Sequence, residues 1–371
     1  MLHPGQSGAI HGGRAFEALG DRFQSLERQD EIISADVLDA WFDPSPRVLE
    51  RLREFLPFLL RTSPPIEARG LMSAISEARG IPEDCILTGG GSSDLIFQCL
   101  PRLPLESAML IDPVYGEYRH LLHCVLGVPL TAFPLHKEEC FRIDTDGFIA
   151  AVNSSRPSLV AVVNPNNPTG ALWSHAEAIR FLDAIPPATQ VLVDEAYIDY
   201  TGPGQSLEQE ACARPNLIVL KSMSKVYALS GLRIGYLVAQ PVTVRGLARW
   251  TPPWSVSLPA QVAAMEALAD PDYYQQKYSE THVLRHRLAA DLARLPGVKV
   301  YPSTTNALLL ELECSAGQTA DRLRASNVFV RNCDSMSEHF HDRFLRIAVK
   351  QEIQNQRLAA TLQTLSVCAN T

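Results

Sequence analysis

The chain has 371 residues, 46% of them hydrophobic and 20% charged, a size and balance that allow a large core and two domains. Its formal charge is −8 with no long basic run, which argues against a nucleic-acid partner. No apolar run is long enough to cross a bilayer, and the opening MLHPGQSGAIHGGRAFEALG lacks the cationic head and apolar core of a secretory signal, so a cytoplasmic protein without a membrane partner is expected.

Residues 1–45 show little periodicity and read as an arm. From 46 to 250, short apolar runs alternate with helical stretches. The candidate strands are Ala108–Ile111, Leu159–Val163, Gln190–Val193, Leu217–Leu220 and Arg233–Val238. Nearly unbroken apolar runs suit strands covered on both faces, and their alternation with helices predicts a mostly parallel sheet sandwiched by helices. Asp-Pro-Val-Tyr follows the first run and Asn-Pro-Asn-Asn-Pro-Thr-Gly the second. Asp-Glu-Ala-Tyr follows the third and Lys-Ser-Met-Ser-Lys the fourth. A parallel sheet collects such strand ends along one edge, where ligands bind. After Arg249-Trp-Thr-Pro-Pro-Trp-Ser255 the pattern changes. A helical stretch from Leu258 to Leu295, broken near Asp270-Pro271, precedes Val298–Tyr301, Ala307–Leu312, a helix near Ala320–Ala325, Val328–Arg331 and Phe344–Val349. Residues 251–371 therefore read as a smaller α+β domain, and the whole as an α/β fold.

The eight cysteines, Cys85, Cys99, Cys124, Cys140, Cys212, Cys314, Cys333 and Cys368, have no Cys-x-x-Cys spacing, and several sit in apolar segments. They read as free thiols of a reducing compartment. The ten histidines form no ligand pattern, so no metal is expected.

Three segments stand out chemically. Gly89-Gly-Gly-Ser-Ser-Asp94 follows Ile86-Leu87 and opens a helix over Leu95–Leu100. Its glycines allow close backbone approach, and a helix N-terminus offers free N–H groups to an anion. Asp194 ends an apolar run, where a carboxylate is buried and needs a cationic partner; a helix cap is the alternative. Lys225 stands in a polar loop just past a strand, as a reactive amine or as a solvated side chain.

Taken in order, Gly89-Gly-Gly-Ser-Ser-Asp94, Pro113-Val-Tyr-Gly-Glu-Tyr118, Asn164-Pro-Asn-Asn-Pro-Thr-Gly170, Asp194-Glu-Ala-Tyr197, Ser222-Met-Ser-Lys-Val-Tyr227, Gly231-Leu-Arg-Ile-Gly-Tyr236, Val330-Arg-Asn-Cys333 and Leu345-Arg-Ile347 resemble fold-type I pyridoxal-phosphate enzymes of the class I/II aminotransferase family. Within that family the chain looks most like the branch of histidinol-phosphate aminotransferase and threonine-phosphate decarboxylase, over nearly its whole length. The resemblance implies pyridoxal 5'-phosphate held as a Schiff base on Lys225, with Asp194 against the ring nitrogen. Asn167 and Tyr197 would meet the phenolic oxygen, and Tyr115, with Tyr118 as runner-up, would lie on the ring. Gly91, Ser92, Ser93, Ser222, Ser224 and Arg233 would hold the phosphate. Arg346 would clamp a substrate carboxylate. Arg331 matches an arginine that contacts a substrate phosphate, with a salt bridge as the alternative, and His11 resembles part of the decarboxylase arm. A homodimer is also implied.

Two departures matter. Arg61-Thr-Ser-Pro64 stands where the branch has Arg-Tyr-Pro, whose tyrosine reaches across the dimer; either Thr62 or Ser63 supplies a shorter hydroxyl for that contact, or the contact is missing. The arm carries Asp36, Asp39 and Asp43 with Trp41 where the branch has an Asn-rich stretch; this is either a solvated acidic loop or a wall that selects a cationic substrate tail. The leading expectation is an aminotransferase acting at the α-carbon of an amino acid. Decarboxylation of a phosphorylated amino acid, or elimination or cyclisation of a basic one such as an arginine derivative, stays open, and so does the substrate. A non-catalytic cofactor-fold protein is a weaker alternative, since Lys225, Asp194, Tyr197 and Asn167 are all present.

Overall fold

A computed structural model describes residues 9–20 and 22–365; Cys368 lies outside the described residues. Twelve strands among them form two sheets. They are β1 (Ile33–Ala35), β2 (Ile86–Gly89), β3 (Ala108–Asp112), β4 (Leu130–Pro134), β5 (Leu159–Val163), β6 (Gln190–Asp194), β7 (Leu217–Ser222), β8 (Gly235–Val238), β9 (Val298–Val300), β10 (Ala307–Leu312), β11 (Val328–Asn332) and β12 (Phe344–Ala348).

The larger sheet runs β2-β8-β7-β6-β5-β3-β4 and is parallel except for β8, which pairs antiparallel with both neighbours. β3, β5 and β7 are buried at every position, as a sheet covered on both faces requires. Edge strand β4, Leu-Thr-Ala-Phe-Pro, is half exposed and carries no apolar run, which is why periodicity does not reveal it. The reading that starts β8 at Arg233 is corrected: Arg233 has φ +55°, a left-handed conformation that cannot belong to a strand, and pairing begins at Gly235.

The smaller sheet runs β1-β11-β12-β10-β9. β1 comes from the arm and pairs parallel with β11, Ile33 with Val328 and Ala35 with Val330. The helical stretch after Leu258 is two helices, Leu258–Leu268 and Pro271–Leu292, because Pro271 suits a first helical turn and not an interior. The helix expected near Ala320–Ala325 begins earlier, at Ala316, where the Ser315 hydroxyl accepts from the Gln318 amide. No helix among the described residues is long and apolar enough to cross a membrane.

Candidate active site

Strand register collects the site. Gly89 pairs with Gly235, Gly235 with Ser222, and Asp194 stands beside Leu220, so the ends of β2, β6 and β7 and the start of β8 share one edge. Gly91 leads into the helix Ser92–Cys99 with φ +103°, a conformation glycine adopts without strain. A Cβ on Gly91 would lie 2.6 Å from Arg233 Nη2, and one on Gly235 would lie 2.9 Å from the Ser92 amide nitrogen. Arg233 Nη1 donates to Ser224 Oγ at 3.2 Å and to the Ser230 carbonyl at 2.9 Å. A guanidinium, a buried hydroxyl and a helix N-terminus thus converge on one cradle, a donor set suited to a phosphate.

Asp194 is buried at the floor. Tyr118 Oη donates to its Oδ2 at 2.9 Å and the Ala196 amide to its Oδ1 at 3.1 Å. Burial pushes this carboxyl up to about 6, against the pull of those two bonds. Its partners are neutral, so the site is short of a positive charge. Tyr118 is fully buried and serves Asp194, while Tyr115 is partly exposed and lines a cavity of about 550 Å³ with His11, Ser93, Glu117 and His120.

The two lysines of Lys-Ser-Met-Ser-Lys have separate surroundings. Lys221 is 2% exposed and lies 3.4 Å from Glu195, 3.5 Å from Glu208 and 3.7 Å from Asp199. Lys225 is 24% exposed on its side chain and lies 2.7 Å from Asp39, which also accepts from Ser230 Oγ at 2.7 Å. Burial alone would raise Asp39; Lys225 and the Ser230 hydroxyl outweigh it and hold the carboxyl below its usual range.

Arg346 donates through Nη1 to Asn167 Oδ1 and through Nη2 to the Asp36 carbonyl, both at 2.7 Å; its Nε is buried without a partner. Asn167 keeps its own N–H groups for another acceptor. Tyr197 is buried nearby, which raises its hydroxyl. Arg331 donates to the Ile10 and His11 carbonyls of the arm and to Ser335 Oγ, so its partners are two carbonyls and a hydroxyl and not an ion pair. His11 meets Glu117.

The acidic arm is not one solvated loop. Asp36 is buried and accepts from the Gly13 and Arg14 amides, Asp39 faces Lys225, and Asp43 is exposed. Thr62 is half-buried and Ser63 exposed, just past the helix Pro46–Arg61. Sequence reasoning misses Ser230 and Glu117 as site residues. Glu117 lies inside the Pro113–Tyr118 motif and Ser230 directly precedes Gly231-Leu-Arg, so both stand beside residues that the motifs do mark.

The family model Aminotransferase class I and II matches residues 43–362. The chain belongs to that family. The histidinol-phosphate aminotransferase of Moorella thermoacetica is 30% identical over 327 residues, 87% of this chain and 82% of the relative. The structure of the Sinorhizobium meliloti histidinol-phosphate aminotransferase, in complex with pyridoxal-5'-phosphate, superposes with a TM-score of 0.80 at 26% identity, covering 92% of this chain and 94% of that one. The L-threonine-O-3-phosphate decarboxylase of Porphyromonas gingivalis shares the fold, with a TM-score of 0.78 at 24% identity over 90% of this chain and 99% of that one. The protein is a pyridoxal-phosphate-dependent aminotransferase by family. The site fits that cofactor on its own terms: the cradle at Gly91 and Arg233 suits a phosphate, and the elevated carboxyl of Asp194 suits a ring cation.

Proposed function

We propose that the chain moves an amino group to and from the α-carbon of an amino acid, with Lys225 as the cofactor-bearing lysine and proton carrier and Arg346 as the carboxylate clamp. One observation carries this reading: the arm segment Asp36–Asp39 touches both groups, Asp36 through its carbonyl on Arg346 and Asp39 through its carboxylate on Lys225. A bound amino acid is then held by its carboxylate at one end of this segment and meets an amine at the other.

Pyridoxal phosphate supplies an electron sink for the charge left when a bond at the α-carbon breaks. When it is bound, Gly91, Ser92, Ser93, Ser222, Ser224 and Arg233 would hold its phosphate, and Asp194 would keep its ring nitrogen protonated. Asn167 and Tyr197 would donate to its phenolic oxygen, and Tyr115 would lie against its ring. Lys225 Nζ takes the α-proton on one side of the reaction and returns it on the other. Residues 1–45 form the arm, 46–250 the cofactor domain and 251–371 the small domain. A cytoplasmic homodimer is part of this reading; the exposed Leu56, Phe58, Leu60 and Ile66 on and after the helix Pro46–Arg61 supply an apolar face for the second copy.

A panel of amino acids tests it, followed by visible spectrum and product mass in the presence of an oxo-acid acceptor. Conversion of an amino acid to its oxo acid with stoichiometric amination of the acceptor is expected. Release of carbon dioxide or ammonia as the dominant product would overturn it.

A further inference from the structure

β11 and β12 set Arg331 directly opposite Arg346. The two arginines are 6% and 5% exposed, so both guanidinium groups are withdrawn from water. Like charges facing each other across paired strands are unfavourable, and each must be offset by its bonding partners. Arg346 retains an unpartnered buried Nε. Arg331 instead turns Nη1 to the His11 carbonyl at 3.2 Å, and Nη2 to the Ile10 carbonyl at 2.6 Å and Ser335 Oγ at 3.1 Å. Burial lowers its pKa, and Arg346 lowers it further.

The segment that Arg331 grips is fixed elsewhere too. The Gly13 and Arg14 amides donate to Asp36 Oδ2 at 2.7 and 2.9 Å, and the His11 ring meets the Glu117 carboxylate. Gly12 packs so tightly that a Cβ would fall 2.3 Å from the Asp36 carbonyl oxygen. Asp36 in turn accepts from the Ser34 hydroxyl at 3.2 Å and directly follows β1, whose last residue, Ala35, pairs with Val330 of β11. Residues 10–14 are therefore a strap tied to the small sheet on one side and to Glu117 on the other.

We propose that Arg331 is the latch of this strap, and that the far end of the substrate consequently carries no phosphate. The inference rests on the amino-acid reading above and narrows its substrate class to side chains that are neutral or cationic. A phosphate reaching for Arg331 would have to strip two backbone carbonyls from it and would then face Glu117, a carboxylate that is itself nearly buried and lines the cavity with His11 and Tyr115. Asp39, beside Lys225, adds a second negative charge at the mouth. Repulsive placement of this kind is how a site rejects a near relative of its ligand. It also departs from the role that resemblance implies for Arg331.

The test uses the holoenzyme and two readouts. Hydrogen exchange over residues 9–19 is compared in wild type, R331Q and D36N, with and without O-phosphothreonine. Spectral titration compares threonine with O-phosphothreonine, and histidinol with its phosphate. Both variants should speed strap exchange roughly tenfold or more, because each removes one tie. O-phosphothreonine should leave wild-type exchange unchanged. The phosphorylated member of each pair should bind no more tightly than the plain one, with a ratio that R331Q does not alter. Strap exchange unaffected by R331Q would overturn the latch. Tighter binding of the phosphorylated ligands, or strap opening by O-phosphothreonine, with either effect lost in R331Q, would overturn the exclusion of phosphate. Spectral silence toward every ligand, with the strap released by R331Q and indifferent to O-phosphothreonine, would instead discard the amino-acid reading and leave the latch standing. If R331Q does not fold, R331K keeps the charge while losing the fork that grips two carbonyls.

Discussion

Asp194 and Glu195 are consecutive, both buried, and they face opposite ways at the end of β6. Asp194 looks into the candidate cofactor site and has only neutral donors, Tyr118 and the Ala196 amide. Glu195 looks beneath it into a closed ionic network: it accepts from Ser206 Oγ at 2.5 Å and the Leu207 amide at 2.8 Å and lies 3.4 Å from Lys221. The network includes Asp199 and Glu208, with Arg79 2.7 Å from Asp199 and Tyr236 Oη 2.7 Å from Glu208. The lysines repeat the contrast, Lys221 enclosed by carboxylates and Lys225 at the mouth beside one. A buried charge whose counter-charges come from the chain is architecture; a buried charge left without one marks a place for something from outside.

The two lysines differ most. Lys225→Ala should abolish borohydride fixation of cofactor and lower turnover by at least about 10²–10⁴-fold, the usual contribution of a positioned proton carrier. Peptide mapping that finds cofactor on Lys221 would reverse the assignment. Next is the floor carboxylate. Asp194→Asn should keep the fold, retain cofactor weakly and turn over about 10²–10³-fold more slowly, since losing one partner of a buried pair costs roughly 3–5 kcal/mol. Near-wild-type turnover would show that another group serves the ring nitrogen.

Lys221→Met should act on stability instead. It leaves three buried carboxylates with Arg79 alone, and a loss of about 3–5 kcal/mol is expected in chemical unfolding, with cofactor fixation still on Lys225. The same network gives a pH signature. Burial pushes Glu195 up to about 7, only partly offset by Lys221. A carboxyl raised from 4.5 contributes stability that is complete below the unfolded pKa and is lost as pH rises through about 7. Asp199 has the opposite sign: burial would raise it, but Arg79 and Lys221 hold it down to about 2, so its contribution is lost as pH falls toward that value. Glu195→Gln should therefore flatten the decline between pH 4.5 and 7 while leaving the acid limb intact. An unchanged profile in urea melts across that window would dismiss Glu195 as the raised carboxyl.

Much of this architecture is legible in the amino-acid sequence alone. Gln190–Val193 and Leu217–Leu220 declare themselves as strands because both faces are covered, and the polar residues that follow them mark the binding edge. The order of the motifs is what singles out Lys225 and Asp194 as candidates. Less visible is anything set by contacts distant in sequence. Nothing near Lys221 announces that Glu208 lies beside it or that Arg79 shares its partner Asp199, and nothing near Arg331 announces that Ile10 supplies its acceptor. The arm shows the limit most clearly: Asp36, Asp39 and Asp43 look alike in sequence, yet two backbone amides, a lysine and solvent give them three different surroundings.

The smallest expected effect on stability lies at the site mouth. Asp39 and Lys225 are 2.7 Å apart, closer than Lys221 is to any of its carboxylates, so distance alone would rank this pair as the stronger. Exposure reverses the ranking, because Asp39 is 42% exposed on its side chain whereas Glu195 is enclosed. Water and salt screen the outer pair, and such pairs contribute about 0–1 kcal/mol. Asp39→Asn should therefore shift the cofactor-free unfolding free energy by no more than about 1 kcal/mol at neutral pH. Raising the salt concentration toward about 1 M should erase the shift. Because the Asp39 carboxyl is held below its usual value of 3.8, its contribution is present above that pH and is lost as pH falls through the depressed value, so variant and wild type should converge in acid. Urea melts of the two proteins at two salt concentrations give the answer. A loss as large as that of Lys221→Met, insensitive to salt, would mean that Asp39 is bound into the core as firmly as Glu195 and that exposure does not separate the two lysine sites.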